Sequence, residues 1–254
     1  MRVIAITNQK GGVAKTTSVA NFGAYLSAAG KKVLLIDLDP QAHLTDGLGV
    51  KWDDLEKTAY NVLDGTASIQ EAILPRNLKG TQETLWLLPA SLALSGAEIK
   101  LSMLFGREQL LKNALANVHN FDFVLIDCPP SLGLLTVNAL VAADSILIPV
   151  EPEYYAKKGI LQTLEAFKEI RKLNPGLKLG GAFITKYDVR RSIHKQSEQD
   201  IRGFFSQYVF QKVIRVDTVL SEAPQHGQTI LEYQPQARGA LDYQALTNEI
   251  FVGS

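Results

Sequence analysis

The feature that most restricts this chain is an eight-residue stretch near its start, Lys10-Gly11-Gly12-Val13-Ala14-Lys15-Thr16-Thr17. An apolar run at residues 3–7 with strand character precedes it. A helical pattern at 15–29 follows, closed by Gly30 at its C-terminal end. A glycine-rich turn from strand into helix is the context of a phosphate-binding loop. The glycines let backbone N–H groups converge on phosphate oxygens, and the helix N-terminus adds a partial positive charge. In this reading Lys15 reaches the β- and γ-phosphates, and the Thr16 hydroxyl completes the shell of a Mg2+ ion. The alternative is a plain glycine turn beside an exposed lysine, which the Gly-Gly-x-x-Lys-Thr-Thr spacing disfavours.

The remaining pattern predicts the frame around that loop. Short apolar runs at 32–36, 84–88, 121–126, 145–150 and 177–184 read as further strands. Several are apolar at consecutive positions, as expected of strands covered on both faces. Helical patterns at 92–104, 107–118, 134–142, 156–173, 193–207 and 237–250 alternate with them, and Asn174-Pro175-Gly176 stops the fifth of the seven helices. The expectation is an α/β fold: one doubly wound, mostly parallel sheet flanked by helices, in a single domain over 1–254. Residues 44–80 are the least regular part and are expected to wrap the edge or top of the sheet.

Composition removes several other classes. With 254 residues the chain buries enough surface to need no disulfide or structural metal. The lone Cys128 cannot form an internal disulfide or supply a cysteine cluster site, and it suits a reducing, cytosolic setting. No apolar stretch approaches the ~20 residues of a membrane span. The balance of 26 basic and 26 acidic residues argues against a general polycationic surface, though not against a local one.

Three carboxylates end two of the predicted strands. Leu34-Leu35-Ile36-Asp37-Leu38-Asp39-Pro40-Gln41 carries two, and Phe123-Val124-Leu125-Ile126-Asp127-Cys128-Pro129-Pro130 carries one. Ligands of open α/β sheets bind at the carboxyl ends of strands. Acids beside a triphosphate require a cation between them. Asp127 then holds Mg2+ through water, Asp37 supports the metal shell, and Asp39 orients an attacking water. Singly, each could be a turn or helix-capping residue.

Together these segments resemble the ParA/MinD family of deviant Walker A ATPases, nearest to its Soj-like chromosome-partitioning branch. The deviant feature is Lys10, which joins Lys15 in one loop. Asp37-Leu38-Asp39-Pro40-Gln41 resembles the switch I element, and Ile126 to Gly133 the Walker B and switch II element. Ile184-Thr185-Lys186-Tyr187-Asp188 and Leu220-Ser221-Glu222-Ala223-Pro224-Gln225-His226-Gly227 resemble the two segments near the adenine. The resemblance implies an ATPase with ATP and Mg2+ as cofactors. Lys10, Lys15 and Asp39 would be catalytic, and Lys10 through Thr17, Thr185, Lys186 and Pro224 would bind nucleotide. Thr16, Asp37 and Asp127 would serve the metal. It further implies an ATP-dependent homodimer in which Lys10 reaches the other copy's nucleotide. The partners would be non-specific duplex DNA and a ParB-type activator of slow hydrolysis, in a cytoplasmic, nucleoid-associated setting. Three positions depart from the family. Ala14 stands where glycine is usual, and Val216 and Val219 stand where arginine is frequent.

Between Lys186 and Arg215 lie seven basic residues against three acids. Lys186, Arg190, Arg191, Lys195, Arg202 and Arg215 are the expected DNA-contacting set, with Arg191, Lys195 and Arg202 at helix spacings that share a face. An ordinary solvated helix face is the alternative. Lys157-Lys158 opens a helix, where cations are mildly unfavourable, and reads as surface scatter or a contact. His226 reads as a turn residue, and Trp52 and Trp86 as core or dimer-edge residues. The rival functions are a MinD-like membrane positioner, a positioner of other protein cargo, and a metabolic enzyme sharing the loop. The closing segment 239–251 has no lysine or arginine for anionic lipid, so it is expected to pack on the core and to give no stable membrane association.

Overall fold

The computed structural model describes residues 1–153 and 156–252; the side chains of Ala156, Lys157 and Lys158 lie outside what is described. The sheet consists of β1 (Arg2–Ile6), β2 (Val33–Asp37), β3 (Leu74–Asn77), β4 (Thr84–Leu88), β5 (Phe123–Asp127), β6 (Ser145–Val150) and β7 (Lys178–Ile184), in the order β3-β4-β2-β5-β1-β6-β7. Every pairing is parallel except β3 with β4. The central strands β2 and β5 are buried at every residue, which explains their unbroken apolar sequence.

The helices are α1 (Lys15–Ala28), α2 (His43–Gly47), α3 (Ala59–Leu63), α4 (Ile69–Ala72), α5 (Ala93–Leu101), α6 (Leu110–Leu115), α7 (Leu134–Ala142), α8 (Ala156–Ile170), α9 (Ser192–Phe205), α10 (Val219–Glu222), α11 (Ile230–Tyr233) and α12 (Arg238–Thr247). All seven expected helices form. The expected helix at 107–118 opens with a 3-10 turn, Arg107–Gln109, and is shorter at its end. Within 44–80 the pattern missed one strand. β3 alternates half-buried and exposed residues and contains Pro75, features of an edge strand, where a missing N–H is tolerated.

Two apolar layers clamp the sheet. One lies under α3 to α9 and includes Cys128, Leu135 and Ile160. The other lies under α1, α11 and α12, and its hub is Phe22 of α1. Phe22 packs edge-on against Phe183, Tyr243 and Phe251 with centroids 5.4, 5.6 and 5.6 Å away. Tyr243 is fully buried, its hydroxyl 2.9 Å from Ser18 Oγ, and the Tyr25 hydroxyl donates to the Ala240 carbonyl at 2.7 Å. The closing helix α12 is thus fixed to α1, and its apolar residues Ala240 and Leu246 are spent on the core. Among the described residues no helix is long and apolar enough to cross a membrane.

Candidate functional site

β1 lies between β5 and β6, so the loop after it emerges at the middle of the sheet's carboxyl edge. Side chains from neighbouring strand ends fix it there. Asn8 Oδ1 accepts the Lys10 N–H at 2.9 Å, and Asn8 Nδ2 donates to the Pro149 carbonyl at 2.8 Å. The fully buried Thr185, just past β7, donates its hydroxyl to the Val13 carbonyl at 3.1 Å. The loop needs two left-handed residues, Gly12 (φ +73°) and Ala14 (φ +67°). Glycine takes that conformation freely, whereas a side chain there costs about 1–2 kcal/mol. Ala14 therefore holds a strained position in which the family's usual glycine would be relaxed.

Ala14 is also the N-cap of α1, and it offers no capping side chain; the first turn contains no acid. The opening N–H groups of the helix and its positive dipole end thus face outward without a protein anion. That is a seat for a phosphate.

Lys15 is 7% exposed, and its Nζ donates to the Lys10 carbonyl at 3.3 Å. Burial lowers its pKa, with Asp127, Cys128 and Asp39 opposing. Asp127 sits behind it, fully buried, and among the described residues neither carboxylate oxygen has a hydrogen-bond partner. Burial pushes Asp127 well above the ordinary carboxylate range. The neighbouring Asp37 and Asp39 add to this, while Thr16 and Lys15 oppose it. An unpartnered buried carboxyl beside a threonine hydroxyl and a lysine is what a hard cation with its water shell would satisfy. The residues present fit Mg2+ held between Thr16, phosphate oxygens and water. Among the described residues no three His, Cys, Asp or Glu side chains form a cage of their own.

Asp37 faces Asp127 in the β2–β5 register and is occupied differently. Its Oδ2 accepts the Thr45 N–H and hydroxyl at 2.9 and 2.7 Å, and its Oδ1 accepts the Asp39 N–H at 3.1 Å. Burial still raises its pKa to about 7. These bonds make Asp37 the anchor of the segment leading to α2. Asp39 is 8% exposed, and its Oδ1 accepts the Gln41 N–H at 2.9 Å, which orients the carboxylate at the mouth of the site. Cys128 is fully buried; burial pushes its thiol above its ordinary value, so it is an inert packing residue.

Beyond the loop opens a cavity of about 450 Å3, lined on its loop side by Ala14, Thr17 and Lys186 and walled by Ile214, Val216 and Leu220. Lys186 adopts a left-handed backbone (φ +52°). Pro224 lies apart from this group. It packs beside Gly47 and, with Thr16 and Thr17, lines a separate recess of about 40 Å3. Both segments expected around the base therefore reach the larger cavity, through Lys186 and Asp188 and through Leu220 and Ser221, while Pro224 lies in the smaller recess. His226 stacks on Tyr233 with centroids 4.9 Å apart, as a turn residue can. Trp52 and Trp86 pack, half-buried, against the core.

The expected DNA-contacting residues separate into two sets. Arg202 is tied to Glu198 at 2.9 Å and to the Phe210 and Gln211 carbonyls at 3.0 and 3.1 Å. Arg215 grips Asp242 through Nε and Nη2, the latter at 2.6 Å. Arg202 thus clasps the neighbouring 210–211 segment, and Arg215 clasps α12. Arg190 pairs with Asp188 at 2.8 Å but stays exposed. Among the described residues, Lys186, Arg191 and Lys195 are exposed and make no ion pair. The sequence reading missed Glu151 and Glu153. Lys10 Nζ bonds Glu151 Oε2 at 3.2 Å and Glu153 Oε2 at 2.5 Å. Burial works against the Lys10 charge, but the bonds to Glu153 and Glu151 outweigh it and raise its pKa. Glu151 directly follows β6 and Glu153 lies two residues on, so the strand-end rule that singled out Asp37 and Asp127 also pointed at them.

Residues 1–179 match a family model described as an AAA domain. The chain is 45% identical over 251 residues to the sporulation initiation inhibitor protein Soj of Bacillus subtilis, covering 98% of each. It is 41% identical over 251 residues to the chromosome partitioning protein ParA of Myxococcus xanthus, covering 98% of this chain and 87% of that one. The chain belongs to the ParA/Soj family. Among solved structures, this ParA/Soj chain superposes on cobyrinic acid a,c-diamide synthase from Mycobacterium smegmatis with bound ATP analog and magnesium. The TM-score is 0.84 at 38% identity, over 98% of this chain and 93% of that one.

Proposed function

We propose that this chain is a DNA-partitioning ATPase that uses ATP and Mg2+. The observation that carries the reading is the pairing of an uncapped α1 N-terminus with Lys15 and the buried, unpartnered Asp127 directly behind it. A polyphosphate with a hard cation satisfies both at once. Mg2+, when bound, supplies neutralisation of phosphate charge.

The chain's own groups do the rest. The loop N–H groups and Lys15 hold the phosphates, and Thr16 and Asp127 hold the metal shell. Asp39 orients the attacking water, and Asp37 fixes the segment that carries Asp39. Thr185 holds the loop, Lys186 flanks the nucleoside cavity, and Pro224 closes the far side of the α1 first turn. Lys10 stands 39% exposed at the rim and would turn to a second copy's nucleotide, so ATP binding closes a homodimer. Each copy then presents Lys186, Arg190, Arg191 and Lys195 to duplex DNA. A neutral chain with a few local cations binds phosphate weakly alone and usefully as a pair. Hydrolysis, stimulated by a ParB-type activator, parts the copies and frees the DNA.

The burial of α12's apolar face on α1 favours this reading over membrane attachment. The test is ATP turnover with and without duplex DNA and a ParB-type partner. Stimulation by both supports the reading. Turnover indifferent to both overturns it.

A further inference from the structure

Lys10, Glu151, Glu153, Arg191 and His194 form a charge cluster at the rim of the phosphate loop, and the roles above leave His194 unused. His194 is 2% exposed. Its Nδ1 accepts the Asp188 backbone N–H at 3.0 Å, so the neutral ring carries its proton on Nε2. That Nε2 is buried and, among the described residues, has no hydrogen-bond partner. Burial first, and Arg191 second, disfavour the imidazolium, with Asp188, Glu151 and Glu153 opposing. A second proton would also have to displace the Asp188 N–H from Nδ1. Among the described residues His194 is therefore a neutral donor with no acceptor, and buried donors are rarely left so.

The nearby acceptors are engaged elsewhere. Glu151 lines the same cavity as His194 but is held, with Glu153, by Lys10. The other charged groups around that cavity are Lys186, Asp188, Arg191, Arg215 and Asp217. Arg215 is bound to Asp242, Asp217 accepts the Gly239 N–H, and Asp188 is paired with Arg190. Glu151 and Glu153 are thus the carboxylates that a movement of Lys10 would set free.

We infer that His194 is a positioning residue for Lys10: its Nε2–H takes over the Glu151–Glu153 pair when Lys10 turns toward a second copy's nucleotide. This rests on the bridging role proposed for Lys10. Without His194, that movement leaves the two carboxylates to the solvent-exposed Arg191. With it, one charge-assisted bond replaces another, and the proton stays on Nε2 throughout. The exchange lowers the cost of releasing Lys10 and so favours dimer closure.

Two experiments on the full chain test this. In the first, the Nε2–H signal of His194 is followed by NMR without nucleotide, in wild type and in Lys10→Ala. Removing Lys10 should move that signal downfield and slow its exchange with water. This readout needs neither ATP nor a dimer. In the second, dimerisation with Mg-ATP is measured by sedimentation. His194→Leu should weaken it by about a hundred-fold, because each of the two copies loses one hydrogen bond to a charged group, at the lower end about ten-fold apiece. His194→Gln, which restores an N–H near the same place, should recover it to within about three-fold. An unmoved Nε2–H in Lys10→Ala, wild-type dimerisation of His194→Leu, or equal defects in the Leu and Gln variants would each overturn the inference. If Lys10→Ala itself dimerises like wild type, the bridging role fails, and the NMR result still decides whether His194 contacts the acids.

Discussion

Ala14 and Asp127 show how single residues set the character of the site. Ala14 carries a side chain at φ +67°, within the loop that must wrap the phosphates. Ala14→Gly should relieve that strain and stabilise the nucleotide-free protein by up to about 1 kcal/mol, read from urea unfolding. Greater unfolded-state freedom of glycine offsets part of the gain. Asp127 is strained in charge. Its folded pKa is raised, so its contribution to stability is present below the unfolded carboxylate range and is lost as pH rises through the folded value. Asp127→Asn keeps the shape without the charge. It should stabilise the nucleotide-free protein at pH 7.5 relative to wild type, and the gain should shrink toward pH 5. The same variant should abolish Mg-dependent turnover. A variant less stable than wild type at pH 7.5 would contradict the assignment.

At the scale of elements, α1 couples the phosphate loop to the core. Its first turn forms the site, and its middle carries Phe22 against β7, α12 and the chain end. Phe22→Ala should cost about 3–5 kcal/mol of unfolding free energy. Nucleotide affinity should fall with it only where the folded population falls. Helix α9 divides its cations by direction. Arg191, at its N-cap, and Lys195 are four residues apart and exposed, whereas Arg202 faces carbonyls of the 210–211 segment. Arg191→Ala with Lys195→Ala should weaken DNA binding and leave stability nearly unchanged, by filter binding and thermal melting. Arg202→Ala should lower the melting temperature. Helical spacing placed all three on one face, but it could not show that one had partners of its own. β3 escaped the sequence reading for a related reason. A four-residue edge strand with half its side chains in solvent carries little apolar signal, and only pairing with β4 defines it.

At the scale of the molecule, the proposed function is an exchange between one chain and two. Lys10→Ala should weaken ATP-dependent dimerisation while leaving nucleotide affinity of the single chain within a few-fold, measured by sedimentation and fluorescence titration. DNA binding should need ATP and fall steeply with salt. Removing Arg191 and Lys195 from both copies should reduce the log–log salt slope by about 3–4. A flat salt response would contradict the DNA reading. The sequence by itself determined the sheet architecture and the phosphate loop. Continuous apolar strands, a glycine turn and carboxylates at strand ends are local signals with few alternative folds. It also marked Ala14 as a departure, though not the sign of its φ. Only the tertiary structure decided which charges are at work and which are engaged. Lys10 rests on Glu151 and Glu153 more than 140 residues away, Arg215 is committed to Asp242, and His194 is buried beside acids already held by Lys10. A charge reads the same in sequence whether free or paired, because its partner is brought to it by folding.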